Sequence, residues 1–281
     1  MTAAVHEKGG KIFLQMWALG RVASPQEVKT VFSAGTIPCS GKSENVTQMT
    51  EEDIKRFVGH YAKAASNAIE AGMDGVEIHG ANGYVSWPSV FPFCITPSKG
   101  INTDGSYQLL DQFLQTKSNN RTDQYGGTLE NRFRFPLAVL NAVCSAVGPE
   151  KVGIRMSPFS RFQDMREETP LDLFIPWTKA IIKAQPNLAY IHAVEGRSAG
   201  ATDTPQEQMK EEDSLDSIRK LVKDAGIGFL DAGGFRPDSA IEHSDKTEDL
   251  VVFGRNFICM SSFVFSFLGL RSEADEGCSQ S

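Results

Sequence analysis

The sequence predicts an α/β fold of the (β/α)8 barrel type, and three observations carry that reading. From residue 151 onward short apolar segments alternate with helical patterns, and repeated strand–helix units predict a parallel sheet covered by helices. The first strand, Lys11-Ile-Phe-Leu-Gln15-Met-Trp17-Ala, is apolar without alternation, as strands buried on both faces are. Six strands can be counted, and no Gly-x-Gly-x-x-Gly follows the first, which favours a TIM barrel over an open dinucleotide-binding sheet. A chain of 281 residues, 41% hydrophobic, can bury one large core and need not divide into two domains.

The elements follow in order. In the first strand Gln15 is the one polar side chain, and a buried amide must find a partner in the backbone or in a ligand. Residues 21–48, rich in Ser, Gly, Pro and Thr, read as a long loop. Thr50 caps a helix whose first turn holds Glu51, Glu52 and Asp53, where the helix dipole favours acids. Its apolar stripe is Ile54, Phe57, Val58, Tyr61, Ala65, Ala68 and Ile69, and Gly72 ends it. A strand at Val76-Glu-Ile78 leads into the turn Gly80-Ala-Asn-Gly83. Residues 85–108 hold Pro88, Pro92 and Pro97 and have neither helical nor strand periodicity. After a polar turn at 120–127, residues 129–147 form a helix with Phe133, Leu137, Leu140 and Val147 on one face, stopped by Gly148. The alternation then runs through strand 151–156, helix 172–184, strand 188–194, helix 214–225, strand 228–234, a short helix from 237, and strand 249–255.

Composition excludes several functions. A net charge of -7 and a pI near 5.3, with no basic run, argue against a nucleic-acid or anionic-membrane surface. The five cysteines are odd in number and scattered without C-x-x-C spacing, which fits a reducing compartment without disulfides or structural zinc. No apolar signal core opens the chain, and the most apolar run, residues 257–270, is short of the roughly 20 residues that a membrane span needs. The expectation is a soluble cytoplasmic protein.

The candidate chemistry concentrates in Gly75-Val-Glu-Ile-His79-Gly-Ala-Asn82-Gly-Tyr84. An imidazole and a carboxamide at a strand end can both hydrogen-bond a carbonyl oxygen, and a nearby phenol can deliver a proton to a neighbouring carbon. These ten residues are equally consistent with a buried strand-end histidine and an ordinary Asn-Gly turn. In a (β/α)8 barrel the chemistry sits at the C-terminal strand ends, where Arg155, Gly233, Gly234, Gly254 and Arg255 also fall. Bare glycine amides with an arginine suit a phosphate. No His/Asp/Glu cluster has metal-ligand spacing.

Taken together, His6-Glu-Lys-Gly-Gly-Lys-Ile-Phe-Leu-Gln-Met-Trp17, residues 75–84, Arg121-Thr-Asp-Gln-Tyr-Gly-Gly-Thr-Leu-Glu-Asn-Arg132, Val152-Gly-Ile-Arg-Met-Ser-Pro158, Ala232-Gly-Gly-Phe235 and Phe253-Gly-Arg255 resemble the Old Yellow Enzyme family of FMN-dependent ene-reductases. The resemblance runs from about residue 4 to 258. It implies a (β/α)8 barrel holding FMN, reduced by NADPH or NADH, that reduces the activated alkene of a small α,β-unsaturated carbonyl compound. It implies that Gln15 bonds the flavin pyrimidine, that Arg155 is the cation beside N1 and C2=O, and that Gly233, Gly234, Gly254 and Arg255 form the phosphate site. The family often has Asn where Gly234 stands. His79 and Asn82 match the pair that grips the substrate carbonyl, with Trp17 beside it. Tyr84 matches the donor that protonates the α-carbon once hydride has reached the β-carbon.

Three departures from the family are visible. The chain begins just before the family's third strand, so the expectation is a barrel lacking its first two strands, with exposed edges. Residues 85–108 separate Asn-Gly-Tyr from Leu109-Leu-Asp-Gln-Phe-Leu114, which the family joins directly. This insertion reads as a retained intron, because Val85-Ser86 and Gln108 can be encoded by splice-donor-like and acceptor-like sequences; a lid loop is the alternative. Beyond 258 the pattern is lost, so residues 1–258 are expected to be a partial FMN-binding barrel and 259–281 a divergent, disordered tail. The competing functions are a catalytically inactive truncated or mis-spliced relative and a flavin-dependent enal isomerase. Tyr84 tilts the chain towards reduction, since some relatives that favour isomerisation carry Phe there.

Overall fold

A computed structural model of the chain describes residues 1–81, 109–199, 202–203, 210 and 212–254. The main strands are β1 (Phe13–Met16), β4 (Gly75–Gly80), β5 (Val152–Met156), β6 (Tyr190–Val194), β9 (Gly228–Ala232) and β10 (Leu250–Val252). They pair in parallel in the order β1-β4-β5-β6-β9-β10. Every crossover carries a helix: α2 (Glu51–Glu70), α3 and α4 (Leu109–Leu114 and Leu129–Val147), α5 (Pro170–Ala184), α6 (Asp216–Asp224) and α7 (Pro237–Thr247). Spatial order therefore follows chain order without the reversal of a doubly wound sheet, and right-handed crossovers in one direction put all these helices on one face. That is the winding of a (β/α)8 barrel wall, here six strands long. A short helix α1 (Thr2–His6) precedes β1, and β2 (Phe32–Ser33) with β3 (Thr47–Gln48) and β7 (Ser198–Ala199) with β8 (Thr202–Asp203) form two small pairs. Among the described residues no helix is long and apolar enough to cross a membrane.

The helix-facing side of the sheet makes the core. Val76, Ile78, Val152, Ile154, Met156, Ile191 and Phe229 pack against Ile54, Tyr61 and Ala65 of α2, Phe135, Val139 and Val143 of α4, Trp177 and Ile181 of α5, and Ile218 of α6. The start of α2 is fixed as its sequence predicts, by a reciprocal cap. Thr50 Oγ1 accepts from the Asp53 amide at 3.1 Å, and Asp53 Oδ2 accepts from the Thr50 amide at 3.0 Å. For α4 the predicted stripe is too narrow. Leu137 and Val147 lie at its rim, while Phe135, Val139 and Val143 are fully buried, because this helix is packed by α2, α3 and α5 as well as by the sheet.

Two other expectations are corrected. Strand β1 is not buried on both faces: Leu14 and Gln15 are exposed and only Met16 is buried, since β1 pairs with β4 alone among the described residues. The loop 21–48 is far from structureless. Arg21 is fully buried, and its guanidinium donates to the carbonyl oxygens of Ile37 (3.2 Å), Pro38 (3.1 Å), Lys117 (3.3 Å) and Gln163 (2.9 Å), drawing three loops together. Neither α1 nor α3 is anticipated by periodicity, both being too short to show one.

On the opposite face the two lowest positions are glycines, and the space is filled by rings. A Cβ on Gly75 would meet the Phe13 ring at 2.2 Å, and one on Gly153 would meet the Tyr190 ring at 2.2 Å. The two rings touch, with centroids 5.7 Å apart, and form an aromatic floor beneath the next layer of side chains. Gly153→Ala is expected to cost about 1–3 kcal/mol by overpacking, read as a lower urea midpoint. The penalty should largely vanish in a Tyr190→Ala background, and an undiminished penalty there would remove the floor from the account.

Candidate active site

Because side chains alternate in a strand, the register that aligns the floor also aligns the layer above it. Gln15 pairs with Glu77, His79 with Arg155, and Arg155 with His192. These five residues come from four adjacent strands and share the face turned away from the helices. Four are polar groups withdrawn from bulk water: His79 is 1% exposed, His192 6% and Glu77 7%, and Arg155 is half-buried. Such a layer needs internal partners, and it has them.

Glu77 is the centre of the bonding. Its Oε1 lies 2.8 Å from His192 Nδ1, and its Oε2 accepts from Gln15 Nε2. Arg155 Nε donates to His192 Nε2 at 3.4 Å, and Arg155 Nη1 lies 3.4 Å from His79 Nε2. The Ala81 amide donates to His79 Nδ1 at 3.2 Å. The Ala81 amide and the Arg155 guanidinium thus face the two ring nitrogens of His79, and a neutral imidazole can accept from only one of them.

The charges can be assigned from these contacts. Burial opposes ionisation of Glu77, but His192, the Arg155 charge and the Gln15 amide outweigh it and hold its pKa at about 2. Burial lowers His79 well below the ordinary histidine value, and the neighbouring Arg155 charge lowers it further. Burial likewise lowers His192, against the pull of Glu77. The layer thus holds one anion, one guanidinium and two neutral imidazoles.

Several sequence-predicted residues are brought together here, and others are not. Gln15, His79 and Arg155 lie in one layer, and Trp17, just past β1, is exposed at the same end of the sheet. Gly233 and Gly234 follow β9 directly, and Gly254 lies two residues past β10. Gly233 has φ 145°, and a Cβ there would meet Glu195 Cβ at 2.7 Å, so this position admits glycine alone. A Cβ on Gly254 would face open space. Asn82, Tyr84 and Arg255 lie outside the described residues, as do the insertion 85–108 and the tail 259–281.

Three participants are missed by sequence reasoning. Glu77 and His192 are recognised only as strand residues, although alternation from His79 puts Glu77 on the same face. The third is Arg197, whose Nε donates to the Gly233 carbonyl and whose guanidinium lies 4.1 Å from the Phe235 ring centroid. Its Nη2 is buried without a hydrogen-bond partner among the described residues.

The description of the NADH:flavin oxidoreductase / NADH oxidase family matches residues 1–88 and 101–268, leaving 89–100 outside the match. The flavin oxidoreductase hxnT of Emericella nidulans is 39% identical over 280 residues, covering 92% of this chain and 66% of its own length. The chanoclavine-I aldehyde reductase fgaOx3 of Penicillium roqueforti is 37% identical, covering 92% of this chain and 64% of its own. Among solved structures, morphinone reductase superposes with a TM-score of 0.75 at 28% identity, over 96% of this chain and 68% of that one. Its complex with tetrahydroNAD gives 0.73 at 29%, over 96% and 69%. The chain thus spans just under two thirds of these curated relatives.

Because the fold lowers the Glu77 pKa from 4.5 to about 2, its contribution to stability is present above pH 4.5 and is lost as pH falls through 2. The stability gap between the wild type and Glu77→Gln should therefore narrow by up to about 1.4 kcal/mol per pH unit below pH 4.5. Urea unfolding of both chains from pH 7 to pH 3 measures it. A gap that stays constant would place the Glu77 charge outside the folded-state balance.

Proposed function

The chain belongs to the NADH:flavin oxidoreductase / NADH oxidase family, and from that premise we propose that it carries the site of an FMN-dependent ene-reductase acting on small α,β-unsaturated carbonyl compounds. The observation that carries the reading is the layer Gln15, Glu77, His79, Arg155 and His192 at the C-terminal ends of adjacent parallel strands, with Gly233 and Gly234 at the end of the next. Its polar groups fit a flavin: the Gln15 carbonyl oxygen and the Arg155 guanidinium for the pyrimidine edge, and beside Gly233 the buried Arg197 Nη2, without a hydrogen-bond partner among the described residues, for an anion. Morphinone reductase in complex with tetrahydroNAD supports a nicotinamide as the reductant.

When bound, FMN supplies hydride taken from NADPH or NADH. The remaining work belongs to the chain. Gln15 accepts from the pyrimidine edge, and Arg155 places its charge where negative charge accumulates on reduction. His79, held neutral by burial, hydrogen-bonds the substrate carbonyl together with Asn82, which makes the β-carbon electrophilic. Tyr84 delivers the proton to the α-carbon. The Gly233 turn and Arg197, with Gly254 and Arg255, hold the phosphate. A soluble, cytoplasmic enzyme is consistent with the composition.

The test is the visible spectrum of the full chain after gel filtration with FMN. A retained flavin band, lost in Arg155→Ala, is expected, with NAD(P)H-dependent reduction of cyclohexenone that falls about 100-fold or more in Tyr84→Phe. A colourless protein would assign the chain to the non-catalytic reading. Enal isomerisation without net NAD(P)H consumption would assign it to the isomerase.

A further inference from the structure

We propose that Glu77 is a positioning residue that sets both pyrimidine contacts at once, fixing the orientation of the Gln15 amide directly and that of the Arg155 guanidinium through His192. The inference rests on the flavin reading above and adds to it two residues, Glu77 and His192, that touch no part of the cofactor in that reading.

The argument is one of hydrogen-bond accounting. An ionised carboxylate can only accept. Glu77 Oε2 faces Gln15 Nε2, so the Gln15 amide turns its NH2 to Glu77 and keeps its carbonyl oxygen for a ligand. That polarity suits an imide N–H, which the opposite rotamer would meet with a second donor. Glu77 Oε1 faces His192 Nδ1 at 2.8 Å, which puts the His192 proton on Nδ1. His192 Nε2 is then a lone pair, and it takes Arg155 Nε at 3.4 Å. With Nε committed to His192, the guanidinium is oriented with Nη1 on the His79 side, 3.4 Å from Nε2. One carboxylate thus determines a tautomer, an amide rotamer and a guanidinium orientation. Tyr190 is also packed against it: burial, the Glu77 charge and a hydrogen bond to Glu77 raise its phenol, which so stays protonated and adds a donor to the carboxylate.

Glu77→Gln keeps the shape of the carboxylate but offers one acceptor oxygen where the Gln15 amide and His192 Nδ1 both donate. Either the Gln15 amide or the His192 tautomer must reverse, and one pyrimidine contact turns from matched to repulsive. Glu77→Asp retains both acceptors.

Two measurements on the full chain test this. Nitrogen-15 NMR of the histidine rings is expected to show His192 neutral with its proton on Nδ1 in the wild type and in Glu77→Asp. A proton on Nε2 would overturn the inference whether or not flavin binds. FMN affinity, read by quenching of flavin fluorescence, is expected to weaken about 10- to 100-fold in Glu77→Gln. In a Gln15→Ala background the same substitution should cost less, because one of the two contacts it positions is already gone. Equal losses in both backgrounds, with the wild type binding FMN, would reduce Glu77 to a structural role. A wild type that binds no FMN would overturn the flavin reading itself, an outcome distinct from equal losses.

Discussion

The constraint on which the structure depends is the alternation of side chains in parallel strands covered by helices on one side only. Val76, Ile78, Ile154 and Ile191 go to the helices, and Glu77, His79, Arg155 and His192 necessarily go the other way. A one-residue slip in any pairing would exchange the two sets, burying charge among Phe135 and Trp177 and exposing the aliphatic core. The apolar face therefore pins the register, and the polar layer inherits its alignment. The glycines beneath reinforce this, since only Gly75 and Gly153 leave space for the Phe13 and Tyr190 rings.

Such a layer is costly unless its charges balance. The balance here is economical: Glu77 offsets Arg155 across His192, and both imidazoles remain neutral because burial and the guanidinium oppose a further positive charge. A neutral His79 suits the proposed polarisation of a carbonyl, because it brings no second full charge beside Arg155. The same contacts that make the layer tolerable in the fold thus prepare it for the proposed chemistry.

How far the sequence discloses this differs by element. The six strands, their order and the Thr50 cap are readable because each is a local pattern: an apolar run, a Gly-bounded turn, a Thr with an acid three residues on. His79, Arg155, Gly233 and Gly234 are readable because strand ends are recognisable. Glu77 and His192 are less so. Their importance lies in a cross-strand register that no single segment contains. Arg21 and Arg197 are invisible for the same reason, since their partners are carbonyl oxygens 16 to 142 residues away or at the end of another strand. The exposure of Gln15 is also a property of what lies beside β1, not of its own residues.

A second buried polar cluster shows why the face of the sheet decides function. Asp231, Asp249 and His243 bring three possible metal ligands within 4.8 Å of one another. Burial, with the neighbouring Glu195 charge, pushes the Asp231 pKa up to about 8. By electrostatic perturbation alone this would rank as a site at least as well as Glu77 does. Its partners argue otherwise. Arg219 lies 3.0 Å from Asp231 and 2.5 Å from Asp249, and Lys223 lies 2.8 Å from Asp249, so protein cations already occupy the carboxylates. Asp231 alternates with Leu230 and stands on the helix side, where Arg219 of α6, His243 of α7 and the start of β10 meet. The cluster ties the last two strand–helix units together. What differs is the place: Asp231 pairs with Arg219 on the helix side of the sheet, whereas Arg197 stands beside Gly233 at the end of β9. That placement, more than any perturbed pKa, distinguishes this cluster from the proposed phosphate site.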